Sequence, residues 1–153
     1  MELLVNLDVP DLAAAEHLYV QAFGLRPGRR FGDAALELTG AAIPIYLLCQ
    51  PAGSPGAASQ PRDYARHWTP LHLDVVVPDL EAALARALAA GFTADDLAEE
   101  RRDLAAARAS IREAAWGRLV RLADPFGHGW CLLQFSDAGY DAVATASPPG
   151  LGG

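Results

Sequence analysis

The chain has 153 residues, 52% of them apolar and 20% charged, with a formal net charge of −7. This suits one soluble domain with its own core, since folding hides roughly 70% of the extended surface at such a length. The acidic balance excludes a phosphate-neutralising nucleic-acid face, the absence of Lys among the 12 basic residues excludes Schiff-base chemistry, and no apolar run reaches the about 20 residues of a membrane span.

Residues 2–9 alternate as a strand, with Val5, Leu7 and Val9 on one face and Leu4, Asn6 and Asp8 on the other. Pro10 ends it, and Asp11 stands where a helix N-cap is wanted. The helix runs to about Phe23 and stops at Gly24, with Leu12, Ala15, Leu18, Tyr19 and Ala22 forming a buried stripe. Short strands are expected at about 26–31, 34–39 and 43–50, turned by Gly32-Asp33 and Gly40. Residues 51–68, rich in Pro, Gly, Ser and Ala, read as a mobile linker.

A strand over 70–77 and a helix over 79–90, ending at Gly91, follow. Residues 94–110 combine helix formers with many charges and read as an inserted helix or arm. Strands then fit 117–123 and 129–135, with Asp124-Pro125-Phe126-Gly127 as the turn. Residues 137–153 read as a flexible tail. Met1-Glu2 leads directly into a strand pattern with no basic n-region, so the expected location is the cytoplasm. Cys49 and Cys131 form no framework of the secreted kind.

The chain also repeats itself. Leu3-Leu4-Val5-Asn6-Leu7-Asp8-Val9-Pro10-Asp11-Leu12 returns 68 residues later as Leu71-His72-Leu73-Asp74-Val75-Val76-Val77-Pro78-Asp79-Leu80. Such duplication predicts two similar modules, 1–50 and 69–136, within one domain. The fold class is α+β: two βαβββ modules, each a curved antiparallel sheet backed by a helix, forming an open barrel around a cavity. In the second strand Leu71, Leu73, Val75 and Val77 should pack on the helix, leaving His72, Asp74 and Val76 opposite. If that face is open surface, Asn6, Asp8, His72 and Asp74 are solvated residues. If the sheets close on each other, they line a binding pocket.

Val-Pro-Asp-Leu after an alternating strand, then a helix and Phe-Gly-Leu, resembles the vicinal oxygen chelate superfamily, the glyoxalase/bleomycin-resistance/dioxygenase group. Trp116-Gly117-Arg118 followed by Asp124-Pro125-Phe126-Gly127-His128 strengthens the likeness, which covers about residues 2–136. In metal-dependent members each module supplies two ligands. The resemblance maps those positions to Leu4 and Tyr46 in module one and to His72 and Cys131 in module two. Leu4 has no donor atom, Tyr46 is an uncommon ligand, and Cys131 binds only as thiolate. Asp74 shares the face of His72 and is a substitute donor. A metal is therefore not expected, with His72 its weak candidate, and no other cofactor is implied.

The expected ligand pocket comprises Asn6, Asp8, Tyr46, His72, Asp74, Trp116, Arg118 and Cys131. Tyr46 offers a hydrogen bond or a stacking face, or else fills the barrel end. Arg118 and Arg121 point opposite ways on one strand, so one of them faces the cavity and can clamp a carboxylate or phosphate, unless it is an exposed edge Arg. Cys131 reads as a buried thiol or a nucleophile. His128 reads as turn geometry. Three functions stay open: a metal-free binder of a small organic molecule, a superfamily lyase, isomerase or dioxygenase acting on an oxygenated substrate with or without a divalent metal, and an interaction protein using 94–110. The resemblance also implies a homodimer. No nucleic-acid or membrane partner is expected.

Overall fold

The computed structural model describes residues 1–95 and 102–145. Module one comprises β1 (Val5–Val9), α1 (Leu12–Phe23), β2 (Arg26–Phe31), β3 (Ala35–Thr39) and β4 (Ile45–Cys49). Its sheet has the order β1-β4-β3-β2, with β1 and β4 parallel and the other pairs antiparallel. Module two comprises β5 (Leu73–Val76), α2 (Leu80–Ala90), β6 (Thr93–Ala94), α3 (Leu104–Ala109), β7 (Arg112–Ala114), β8 (Gly117–Ala123) and β9 (Gly129–Phe135). Its sheet runs β5-β9-β8-β6, with β7 also paired to β8. Among the described residues the two sheets do not join. Their edge strands β1 and β5 flank the seam between the modules.

The repeated Pro-Asp-Leu becomes the same device twice. Asp11 accepts from the Ala14 N–H and Asp79 from the Ala82 N–H, each at 3.0 Å, so each carboxylate caps its helix. On the helix side of sheet one, Leu7, Val9, Leu36, Leu38 and Leu47 pack with Leu12, Ala15, Leu18 and Tyr19. On that side of sheet two, Val120, Leu122, Trp130 and Leu132 pack with Leu80, Ala83, Leu84 and Ala87. The two helices also touch, so one core runs through both modules.

The strand expected over 70–77 is shorter, and Leu71, expected in the core, lies ahead of β5 and is 70% exposed. The 94–110 segment is not one helix. Ala94 ends β6, Leu104–Ala109 form α3, and 96–101 lie outside the described residues. β7 was not anticipated, because three residues are too few to show a period. It forms a hairpin with β8 that turns at Ala115-Trp116. Gly117 opens β8 at φ +147°, where a Cβ would stand 2.2 Å from the Gln134 carbonyl oxygen. Only glycine lets the strands approach so closely there. Of the tail, Gly139–Ala142 form a 3₁₀ turn, and 146–153 lie outside the described residues.

The segment 51–68, read as a mobile linker, is pinned at both ends. Pro55 and Pro61 form a bridge, the Arg62 N–H donates to the Ser54 carbonyl, and the Arg62 carbonyl accepts from the Gly53 N–H. The Arg62 guanidinium meets Asp8 of β1 at 2.6 Å, and Tyr64 donates to the Gln50 carbonyl at 2.7 Å. Arg66 forks onto Asp95 with bonds of 3.0 and 2.9 Å. Composition concealed these anchors, since proline and glycine mark turns without saying whether side chains fasten them.

Candidate functional site in the seam between modules

A cavity of about 1160 Å³ opens between β1 and β5. Residues 3–8 form one wall, Leu71, His72 and Leu73 another, the turn Phe126–Gly129 the floor, and the 56–69 segment the roof. The pocket therefore lies beside the two edge strands rather than across the broad sheet faces.

The expected pocket residues divide. Asn6, Asp8 and His72 border the cavity. Asp8 does so as the partner of Arg62, which offsets its charge. Tyr46, Asp74, Trp116, Arg118 and Cys131 are not among its lining residues. Tyr46 lies on the face of sheet one turned from α1 and donates to Glu37 Oε1 at 2.9 Å. Trp116 sits in the β7–β8 turn and packs against Phe135 and Tyr140. Arg118 shares a face with Val120 and Leu122, donates to Gln134 Oε1 at 2.7 Å and approaches Glu81 of α2. Its partner on β9 is Gln134, while Arg121 stands opposite Cys131, so the two arginines face opposite ways and neither is among the residues lining the cavity. Arg121 is therefore on the face of sheet two turned from α2.

Asp74 and Cys131 are register partners on that same outer face. His72 Nε2 lies 3.3 Å from Asp74 Oδ1. The ligand atoms of His72, Asp74 and Cys131 all lie within 4.8 Å of one another. As a metal site this set is incomplete. The two-per-module pattern needs donors from module one, and there Leu4 has none while the Tyr46 hydroxyl is committed to Glu37. What remains mixes an imidazole, a carboxylate and a thiol, and the first two are well exposed. The residues present do not fit the superfamily's divalent site.

Two polar groups on the outer and inner sides of the modules are more strongly organised. Glu37 is buried and takes Arg29 by a fork of 2.9 and 2.7 Å, together with the Arg29 N–H and the Tyr46 hydroxyl. The hydrogen bonds from Arg29 hold its carboxyl at about 2. A hydrogen bond to Glu37 and burial together raise the Tyr46 phenol above its ordinary value.

The second group centres on Asp124, which is 5% exposed. Oδ1 accepts from the N–H of Phe126 at 2.9 Å and of His128 at 3.0 Å, which closes the turn. Oδ2 accepts from Tyr19 Oη at 2.6 Å, His128 Nδ1 at 2.8 Å and Trp130 Nε1 at 2.9 Å. Burial pushes the carboxyl up, but the bonds and charge of His128, with Tyr19 and Trp130, outweigh it and hold it below its ordinary value. Burial, then the Asp124 charge, raises the Tyr19 phenol well above its usual range. Tyr19 thus stays a neutral donor beside an ionised carboxylate. Gly127, at φ +88°, lets the roof descend, since a Cβ would meet the Tyr64 carbonyl oxygen at 3.0 Å.

Sequence reasoning missed this cluster and the roof. Asp124 and His128 are four residues apart across a turn, a visible spacing that turn geometry alone explains. Tyr19, 105 residues away, looked like one more apolar stripe position.

The family model described as a glyoxalase-like domain matches residues 4–133. A search of curated proteins finds no match. Among solved structures, a glyoxalase-related enzyme from Fulvimarina pelagi is similar with a TM-score of 0.62 at 17% identity, covering 88% of this chain and 87% of that one. A glyoxalase/bleomycin resistance protein from Albidiferax ferrireducens T118 gives 0.59 at 18% identity, covering 87% and 97%. The fosfomycin resistance protein FosX from Listeria monocytogenes gives 0.61 at 14% identity, covering 90% and 94%. At these identities the likeness is one of fold.

Proposed function

The chain belongs to the glyoxalase/bleomycin-resistance superfamily, and on that premise we propose that it binds a small organic molecule in the seam cavity without a divalent metal. The observation that carries the reading is the cavity, about 1160 Å³, with an apolar wall of Leu3, Leu4, Val5, Leu7, Ile43, Leu71 and Leu73 and polar side chains along the roof and floor, Arg62, Tyr64 and His128 among them. Pockets for drug-sized ligands have this character, an apolar wall with polar contacts that set orientation. Arg62 offsets Asp8, while Asp63 adds a second carboxylate to the lining, so the wall's charge does not by itself select an anion or a cation. The mixed, one-sided donor set of His72, Asp74 and Cys131 supports binding that needs no ion.

A thermal-shift screen with aromatic and hydroxylated small molecules tests this. A ligand at 100 times its Kd adds about 2.7 kcal/mol, which raises Tm by about 5–10 °C for a chain of this size. Leu4→Trp, at the exposed mouth, should weaken that shift while the protein stays folded. Equal shifts in the variant would overturn the location. The same reading retains a homodimer, supported by exposed Trp68, Leu71 and Val76, and sedimentation at a monomer's mass would remove it.

A further inference from the structure

His128 does more than complete a turn. Its Nδ1 sits 2.8 Å from Asp124 Oδ2, and an ionised carboxylate only accepts. Nδ1 must therefore carry the proton. Tyr19 Oη, 3.4 Å from Nδ1, spends its own proton on Asp124 and does not reverse this assignment. In the neutral ring the lone pair is then at Nε2. Among the described residues, no hydrogen-bond partner stands at Nε2, and no buried side-chain polar atom lacks a partner. Nε2 must accordingly reach open space, and the space that His128 borders is the cavity. The ring is held from behind by a buried carboxylate, a buried phenol and its own backbone N–H.

The other two cavity histidines are not built this way. His67 turns its Nδ1 to the Ala65 carbonyl at 2.8 Å, within its own exposed loop. His72 is 62% exposed, and its ion-pair partner among the described residues is Asp74, itself on the surface. A single imidazole with a fixed tautomer and an aligned counter-charge is the arrangement that accepts a proton without reorienting.

We infer that His128 is the cavity's proton-accepting contact, oriented by Asp124 and Tyr19 to take the proton of an acidic hydroxyl, such as a phenol or enol, on the bound molecule. This rests on the seam cavity being the ligand site. In the step the ligand O–H bond breaks and an N–H bond forms at Nε2. The bonding pair stays on the ligand oxygen as an anion, and the imidazolium lies between that anion and the Asp124 carboxylate. Nothing is oxidised or reduced. Asp124 and Tyr19 are positioning residues, since neither needs to touch the ligand.

The probe is 4-nitrophenol, whose ionised form has a visible band that the neutral form lacks. Wild-type protein should bind it and raise that band in mildly acidic buffer, where the free probe stays largely neutral. His128→Asn, a residue suited to the same turn, should weaken binding about tenfold or more and abolish the band. Unchanged affinity and band in His128→Asn overturn the inference, as does binding of the neutral phenol alone to wild type. If His128→Asn does not fold, nitrogen NMR of wild type in mildly alkaline buffer, where an imidazole is neutral before the probe is added, decides: the Nε2 signal must move from that of a bare nitrogen to that of an N–H on saturation with probe, and a static signal sinks the idea. If wild type ignores 4-nitrophenol yet binds other small molecules at the cavity, this inference falls and the cavity reading stands. If no small molecule binds, both fall.

Discussion

Glu37 and Asp124 are both buried carboxylates that accept a tyrosine hydroxyl, yet they do opposite jobs. Every partner of Glu37 comes from sheet one, and its Arg29 cap is 67% exposed. The partners of Asp124 come from α1 of module one, from its own turn and from β9 of module two. Around it Tyr19, Phe23, Phe92, Phe126 and Trp130 pack in one aromatic cluster, mostly at tilted angles, with Tyr19 and Trp130 centroids 5.4 Å apart. The contrast teaches that a buried acid matters in proportion to what its donors connect. Glu37 organises one sheet surface, whereas Asp124 fastens two modules and aims a histidine.

Asp124→Ala should break the fastener and give the largest loss. Three side-chain donors would lose a charged acceptor in an apolar setting, at a cost of about 3–5 kcal/mol in urea unfolding. A loss below about 1 kcal/mol would erase the contrast. Tyr19→Phe removes one hydrogen bond to a charged group while keeping the ring stack, and should cost about 1.5–3 kcal/mol. Arg62→Ala removes a partly exposed ion pair, so stability should fall by about 1 kcal/mol or less. Its stronger signature is faster proteolysis between 51 and 68, and an unaltered cleavage rate would mean Arg62 does not hold the roof.

Glu37→Gln should lose stability at neutral pH, where the ionised carboxylate holds Arg29, and the gap to wild type should close in acid. A carboxylate held at about 2 stabilises the fold above its unfolded value and loses that contribution as pH falls through about 2. Wild type should therefore weaken between about pH 4.5 and 2. Asp124 acts in the same sense. The variant should show a shallower acid decline, and an identical one would make Glu37 a bystander.

Much of the fold was readable because it rests on short-range chemistry. The doubled Pro-Asp-Leu announced two capped helices, and the alternation of Val5, Leu7 and Val9 against Asn6 and Asp8 assigned the faces. The strands at 26–31, 117–123 and 129–135 fall where expected. The site was less readable because it depends on pairing and on side chains from distant segments. Parity alone could not say which of Arg118 and Arg121 faces inward, and the β8–β9 register places Arg118 on the helix side. Tyr46 lay on the foreseen face, but its hydroxyl had already been claimed by Glu37, a cross-strand neighbour on β3. The roof escaped notice because the pairing of Arg62 with Asp8 spans 54 positions.

The strap over the cavity is tied by Arg62 to Asp8 on one module and by Arg66 to Asp95 on the other. Both ties are guanidinium–carboxylate contacts near solvent, which dissolved salt weakens, while the Asp124 knot is shielded from it. Raising ionic strength should therefore slacken the strap long before it loosens the buried knot beneath, so the covering of the seam answers to salt while the junction of the two modules does not.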